Sequence, residues 1–145
     1  MGSPDQSRGT LTVVCVDDDR TTLELLRHAV EDQPDFEIAA AATDGQSFQV
    51  LVMKHRPDVV IVDHMLRDPM VEQAGRFGRV PRLPQPSGLE LIERTRTLVP
   101  EATIVLFTAK AGLDVASHNS GVDLYIEKPH VDKLWPAIRQ VRAQR

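Results

Sequence analysis

Three short, mostly apolar runs, far apart in the chain, each lead into charged residues. Val13-Val14-Cys15-Val16 runs into Asp17, Asp18 and Asp19. Val59-Val60-Ile61-Val62 runs into Asp63. Leu124-Tyr125-Ile126-Glu127 runs into Lys128 and Pro129. Short apolar runs bounded by turn signals read as buried parallel strands. A parallel sheet lines up the carboxyl ends of its strands along one edge, where ligands bind. The pattern therefore predicts several carboxylates and one lysine converging on a single point, suited to a divalent cation and something anionic.

Between these runs the periodicity changes from strand to helix, so the class is α/β. Leu11–Val16 is the first strand. Thr21–Asp32 has Leu23, Leu26, Ala29 and Val30 at helical spacing, with Asp19 or Thr21 as N-cap and Pro34 as the stop. Glu37–Ala41 is a weaker second strand, and Asp44-Gly45 reads as a turn. Gln46–Arg56 is a second helix with Phe48, Leu51 and Val52 inward, ended by Pro57. Asp58–Val62 is the third strand. Ser87 caps a third helix to about Val99, carrying Leu89, Leu91, Ile92 and Leu98 and ended by Pro100. Thr103–Phe107 is the fourth strand, closing on Thr108, and Ala111–Ser120 is a short helix. Asp123–Ile126 is the fifth strand. Val131–Gln144 is the last helix, with Val131, Leu134, Trp135, Ile138 and Val141 on one face.

A stretch from Arg67 to Pro86 fits no element. It is long for a connection between strand and helix, and it holds four prolines and the arginines Arg67, Arg76, Arg79 and Arg82 without sustained periodicity. It reads as an inserted loop, which loop-closure entropy makes inexpensive. Two forms are open: a disordered excursion, or an ordered flap beside the site, since it begins soon after Asp63. Residues 1–10 are polar and read as a disordered lead, not as a signal peptide. The 145 residues suffice for one domain over 11–145, with a self-sufficient core. The formal net charge of −4 argues against a bulk electrostatic grip on nucleic acid or an anionic membrane. No apolar run approaches the ~20 residues of a membrane span. The single cysteine, Cys15, lies within an apolar strand and reads as an inert buried thiol; all of this suits a reducing cytoplasm.

The chemistry of the clustered residues is specific. Asp17, Asp18 and Asp63 repel one another unless a cation neutralises them. Hard oxygen ligands at a wet sheet edge suit Mg2+. Lys128 adds a second positive charge and Thr108 a hydroxyl donor. A phosphoryl group is the natural occupant, and Asp63, alone at the tip of the central strand, is the best nucleophile towards it. Taken singly, each feature has a plainer explanation: an acidic run can cap a helix, a strand-end Asp can close a turn, a Lys-Pro pair can sit in a solvated loop. Together, in this order and each closing a strand, they argue for one site.

On these residues the chain resembles the receiver domains of two-component response regulators. The resemblance runs from about Leu11 to Arg142, the insert apart. It is carried by Asp17-Asp18 after the first strand and Asp63 after the third. It continues in Ser87-Gly88-Leu89-Glu90-Leu91 opening a helix, Thr108-Ala109 after the fourth strand and Lys128-Pro129 after the fifth. It implies a flavodoxin-like, open five-stranded parallel sheet in the order 2-1-3-4-5 with helices on both faces. It implies that Asp63 accepts a phosphoryl group from a sensor histidine kinase or a histidine phosphotransfer protein. Asp17, Asp18, Asp63 and the backbone carbonyl of Met65 would hold Mg2+, and Lys128 and Thr108 would contact the phosphoryl group. Tyr125 matches an aromatic switch position whose rotamer tracks Thr108. The face of the fourth helix, fifth strand and last helix (α4-β5-α5 in the family) would then change shape and could serve a homodimer. The Lys128–Pro129 bond would be cis, turning the lysine back over the sheet edge. The chain departs from the family where Leu66 and Arg67 replace a usual Met-Pro pair and where the insert delays Gly88.

Two other readings use the same residues. A degenerate receiver would bind partners without being phosphorylated. Alternatively, Asp17-Asp18-Asp19-Arg20-Thr21 fits the Asp-x-Asp-x-Thr opening of haloacid-dehalogenase-type phosphohydrolases, with Asp17 as nucleophile and Asp19 as acid/base. That reading lacks the later acidic pair such enzymes need and gives Asp63 no task. Direct nucleic-acid binding and a membrane role are not expected of this chain.

Overall fold

The computed structural model describes residues 9–63, 88–109 and 121–144. The expected insert at 67–86, the Met65 carbonyl, the Ser87 cap, the Ala111–Ser120 helix and most of the 1–10 lead lie outside the described residues. The elements in chain order are β1 (Leu11–Val16), α1 (Arg20–Val30), β2 (Phe36–Ala42), α2 (Gly45–His55), β3 (Val59–Val62), α3 (Gly88–Leu98), β4 (Thr103–Thr108), β5 (Leu124–Glu127), a 3-10 turn (Val131–Lys133) and α4 (Leu134–Ala143). The five strands form one parallel sheet in the order β2-β1-β3-β4-β5.

The period of two in β1, β3 and β4 divides the core between the two sides of the sheet. Val14, Val16, Val60, Val62, Ile104 and Leu106 pack with Phe48 and Val52 of α2 and with Leu91 and Ile92 of α3. Val13, Cys15, Val59, Ile61, Val105 and Phe107 pack with Leu23 and Leu26 of α1 and with Leu134, Trp135 and Ile138 of α4. Both faces being covered, these strands read as unbroken apolar runs and not as alternating ones. Each fully buried Val, Leu, Ile or Phe contributes roughly 1.5–3 kcal/mol. No described helix is long and apolar enough to cross a membrane.

Several boundaries differ from those read in the sequence, each for a local reason. Asp44-Gly45 is not a free turn. The Asp44 carboxylate accepts from the Ser47 amide at 2.8 Å, so Asp44 is the N-cap of α2 and Gly45 its first residue. Of the two candidate caps for α1, Asp19 holds the position, accepting from the Thr21 amide at 2.9 Å; the helix runs Arg20–Val30, stopping short of Asp32. The second helix ends at His55, because Pro57 disfavours the right-handed helical conformation for the residue before it. Arg56 takes the left-handed cap at φ 44°, and its amide donates to Val52 O. The last helix is two pieces: a 3-10 turn precedes α4, and Pro136 falls in the first turn of α4, where its missing N–H costs nothing. At the β2 edge the register with β1 slips between Val13 and Val14, a bulge on an edge strand.

The orientation of α2 is testable. Phe48 is fully buried and Val50, two residues on, is 64% exposed. Phe48→Ala is expected to lower unfolding free energy by about 3–5 kcal/mol, and Val50→Ala to change it by no more than about 0.5 kcal/mol. Urea midpoints of the two variants check this; similar losses would mean the helix is turned otherwise.

Candidate functional site

The carboxyl edge of the sheet gathers polar side chains from four strands. Asp17 and Asp63 each lie one step beyond a strand, and their amides continue the ladder: Asp17 N–H donates to Ala42 O and Asp63 N–H to Val16 O. Thr108 is the last residue of β4, and the Lys128 amide donates to Thr108 O at 2.8 Å, one step beyond β5. The parallel pairing thus delivers Asp17, Asp63, Thr108 and Lys128 to adjacent positions.

Their side chains meet. The Lys128 ammonium lies 2.8 Å from Asp17 Oδ2 and 3.3 Å from Asp63 Oδ2. The Thr108 hydroxyl donates to the other oxygen of Asp63, at 3.3 Å. Asp17 Oδ1 accepts from the Asp19 amide at 2.9 Å. Asp17 and Asp63 are 2% and 4% exposed and Thr108 is fully buried, while Asp18 is half-buried. Asp17, Asp18 and Asp63 each bring a carboxylate oxygen within 4.8 Å of the others. Asp19, by contrast, is exposed and its carboxylate caps α1. Tyr125 sits mid-β5 opposite Leu106 and is half-buried against the α2–α3 side of the core. The Lys128–Pro129 bond is cis.

The electrostatics arise from burial. Removing the Asp17 carboxyl from water pushes it up from 3.8 to about 6. The Lys128 ammonium and the Asp19 amide pull it back, while Asp63 adds to the upward push. Burial alone would lower Lys128, yet Asp17 and Asp63 together hold it above its ordinary value, so it stays charged. Three carboxylates against one ammonium leave a formal excess of two negative charges. A hard divalent cation with oxygen ligands fits that donor set and its spacing.

In comparisons with known proteins, no family model matches the sequence. A probable transcriptional regulatory protein of Mycobacterium tuberculosis, TcrX, is 30% identical over 121 residues, which is 82% of this chain and 44% of that protein. A protein-glutamate methylesterase/protein-glutamine glutaminase of Burkholderia pseudomallei is 28% identical over 96 residues, 66% of this chain and 22% of the enzyme. The chain spans less than half the length of these relatives. Among solved structures, the REC domain of AraT, a response regulator from Geobacillus stearothermophilus, superposes with a TM-score of 0.72 at 23% identity, covering 93% of this chain and 95% of that one. A CheY-like response regulator receiver domain protein of Methanospirillum hungatei gives 0.68 at 22% identity, covering 93% and 96%. The fold is that of a response-regulator receiver domain. The receiver fold, its strand order and its two helical layers are thus as the resemblance implied.

The opposite, amino edge of the sheet holds polar pairs that no local sequence pattern indicates. Asp58 accepts from the amide and hydroxyl of Thr12 at 2.9 and 3.1 Å. Arg142 donates to Asp58 O and Thr103 Oγ1, and Arg96 pairs with Asp123 at 2.7 Å. Such pairs join distant residues and carry no periodic signature.

The raised Asp17 carboxyl gives the metal-free chain a particular pH dependence. Between about pH 4 and 6 the native Asp17 keeps a proton that the unfolded chain has released. The native state binds more protons there, so stability falls as pH rises through that window. The full loss is on the order of 2–3 kcal/mol, at about 1.36 kcal/mol per unit. Urea midpoints in EDTA from pH 4 to 7 are expected to show this decline in the wild type and to flatten in Asp17→Asn. An equal slope in the variant would assign the titration to another group.

Proposed function

We propose that this chain is a phosphoacceptor receiver: Asp63 takes a phosphoryl group from a histidine of a sensor kinase or a histidine phosphotransfer protein. One observation carries the reading. Asp63 closes β3 with its two carboxylate oxygens engaged separately, one by the Thr108 hydroxyl and one by the Lys128 ammonium, beside a second acid pair. A hydroxyl and an ammonium in contact with the Asp63 carboxylate are the kinds of donor that suit the oxygens of a phosphoryl group there.

In this reading a carboxylate oxygen of Asp63 attacks phosphorus. The bond from phosphorus to the donor nitrogen breaks, and its electron pair leaves with the histidine. Asp17, Asp18 and Asp63, with the Met65 carbonyl, would hold Mg2+, which would neutralise charge on the phosphoryl oxygens. Lys128 exchanges its contact with Asp63 for one to a phosphoryl oxygen, and Thr108 turns its hydroxyl the same way. Tyr125, beside the β4 strand that carries Thr108, moves in response. The surface including β5 and α4 then changes shape for an output partner, a second copy of the chain among the candidates. The chain catalyses only its own phosphorylation and dephosphorylation, in the cytoplasm. The phosphohydrolase alternative is poorly supported, since Asp19 caps α1 and is exposed.

Incubation with Mg2+ and acetyl phosphate, read by intact mass, tests the assignment. Wild type is expected to gain one phosphoryl group and Asp63→Asn none. Labelling of Asp63→Asn at the wild-type level would refute it, and loss of the covalent adduct in Asp17→Asn alone would favour the phosphohydrolase. An unlabelled wild type would favour the degenerate receiver. Mg2+ is also expected to raise the melting temperature by binding the native state selectively, and Asp18→Ala to abolish that increment. A variant that keeps the increment would remove Asp18 from the metal site.

A further inference from the structure

The strand that leads into Lys128 is the least supported in the sheet. β5 has four residues, all half-buried, and pairs on one side only, with β4. Each residue advances a strand by about 3.3 Å, and a slip of one residue turns every side chain to the opposite face. A slip of β5 along β4 would carry the Lys128 ammonium out of reach of Asp63. The register must therefore be held from somewhere, and among the described residues no neighbouring strand lies on the outer side of β5.

One arginine occupies the opposite end of this strand. Arg96, in the last turn of α3, is half-buried and spreads its guanidinium over two segments. Nη1 donates to Pro100 O and Ala102 O, both at 2.9 Å, on the turn leading into β4. Nη2 donates to Gly121 O at 3.0 Å and to Asp123 Oδ2 at 2.7 Å, immediately before β5. The same Asp123 oxygen accepts from the Ile104 amide at 2.8 Å, and the Asp123 amide donates to Ile104 O at 2.9 Å. Side chain and backbone of Asp123 are thus both tied to Ile104 of β4, and Arg96 ties Asp123 to α3. At the far end of β5 the Lys128 amide is tied to Thr108 O.

We propose that Arg96, through Asp123, is a positioning residue for Lys128: it sets the register of β5 from the amino edge and so places the ammonium at Asp63. The inference rests on the phosphoacceptor reading above. A planar fork with several fixed donors suits four acceptors on two segments, and a lysine at this position cannot reproduce it. Neither Arg96 nor Asp123 approaches the acid triad, so the carboxylates that would hold a cation stay in place without the clamp.

The test is a rate comparison with Mg2+ and acetyl phosphate, at a temperature well below the melting point of every variant. Arg96→Gln and Asp123→Asn are expected to slow labelling of Asp63 by about 10- to 100-fold, the scale of an ångström-level misplacement. Mg2+ affinity is expected to stay within about twofold of wild type. In a Lys128→Ala background Arg96→Gln is expected to slow the residual rate no further, because the group it positions is gone. Arg139→Gln, which removes a salt bridge to Asp35 remote from β5, is the control for general loosening and should label at the wild-type rate. An undiminished rate in Arg96→Gln, an additive loss on top of Lys128→Ala, or an equal loss in Arg139→Gln would each overturn the positioning role while leaving the phosphoacceptor reading standing. A wild type that is not labelled at all would remove both.

Discussion

The in-register parallel pairing of β1, β3 and β4 is the constraint on which the rest depends. Val16, Val62 and Leu106 are Cα partners across the three strands. The residues just after them in sequence are therefore brought to one edge: Asp17 after β1, Asp63 after β3, Thr108 two residues past Leu106. A shift of one residue in any of these strands would send its apolar side chains to the wrong helical layer, where Phe48 and Leu91 or Leu26 and Trp135 await them. The same packing that stabilises the core thus fixes the separation of the carboxylates at its rim.

That rim is electrostatically costly when it stands alone. Two nearly buried carboxylates and a third beside them would repel strongly, and the protein offsets this with one ammonium shared between Asp17 and Asp63. The raised carboxyl of Asp17 and the raised ammonium of Lys128 are two expressions of one local balance. Such a donor set suits added positive charge. In the proposed function this is why a phosphoryl group on Asp63 is tolerated where a free carboxylate already sits among others.

The amino edge is organised differently. There arginines bind carbonyls and carboxylates of neighbouring segments: Arg96 at the start of β5, Arg142 between Asp58 and Thr103, Arg139 on Asp35 with its guanidinium over the Phe36 ring. The sheet is thus tied down at one edge and left chemically open at the other.

The strands and helices were legible because buried parallel strands and amphipathic helices have periods of their own, whereas the strand order and the helices on both faces were implied only by the resemblance to receiver domains. Val59–Val62 and the Leu23, Leu26 spacing need no partner to be recognised. Asp17, Asp18, Asp63, Thr108 and Lys128 were legible as candidates because each closes a strand or lies just past one, and a parallel sheet has only one carboxyl edge. Local sequence did not determine whether Asp44-Gly45 was a turn or a helix start, since both use the same residues and only the Ser47 amide decides between them. Nor did it reveal the Arg96–Asp123 or Arg142–Thr103 pairs, which span 27 and 39 positions and exist only once the sheet has formed. Sequence periodicity specified which side of each element faces inward; the tertiary fold alone decided which charges meet, because a hydrogen bond between distant residues depends on chain topology and not on local pattern.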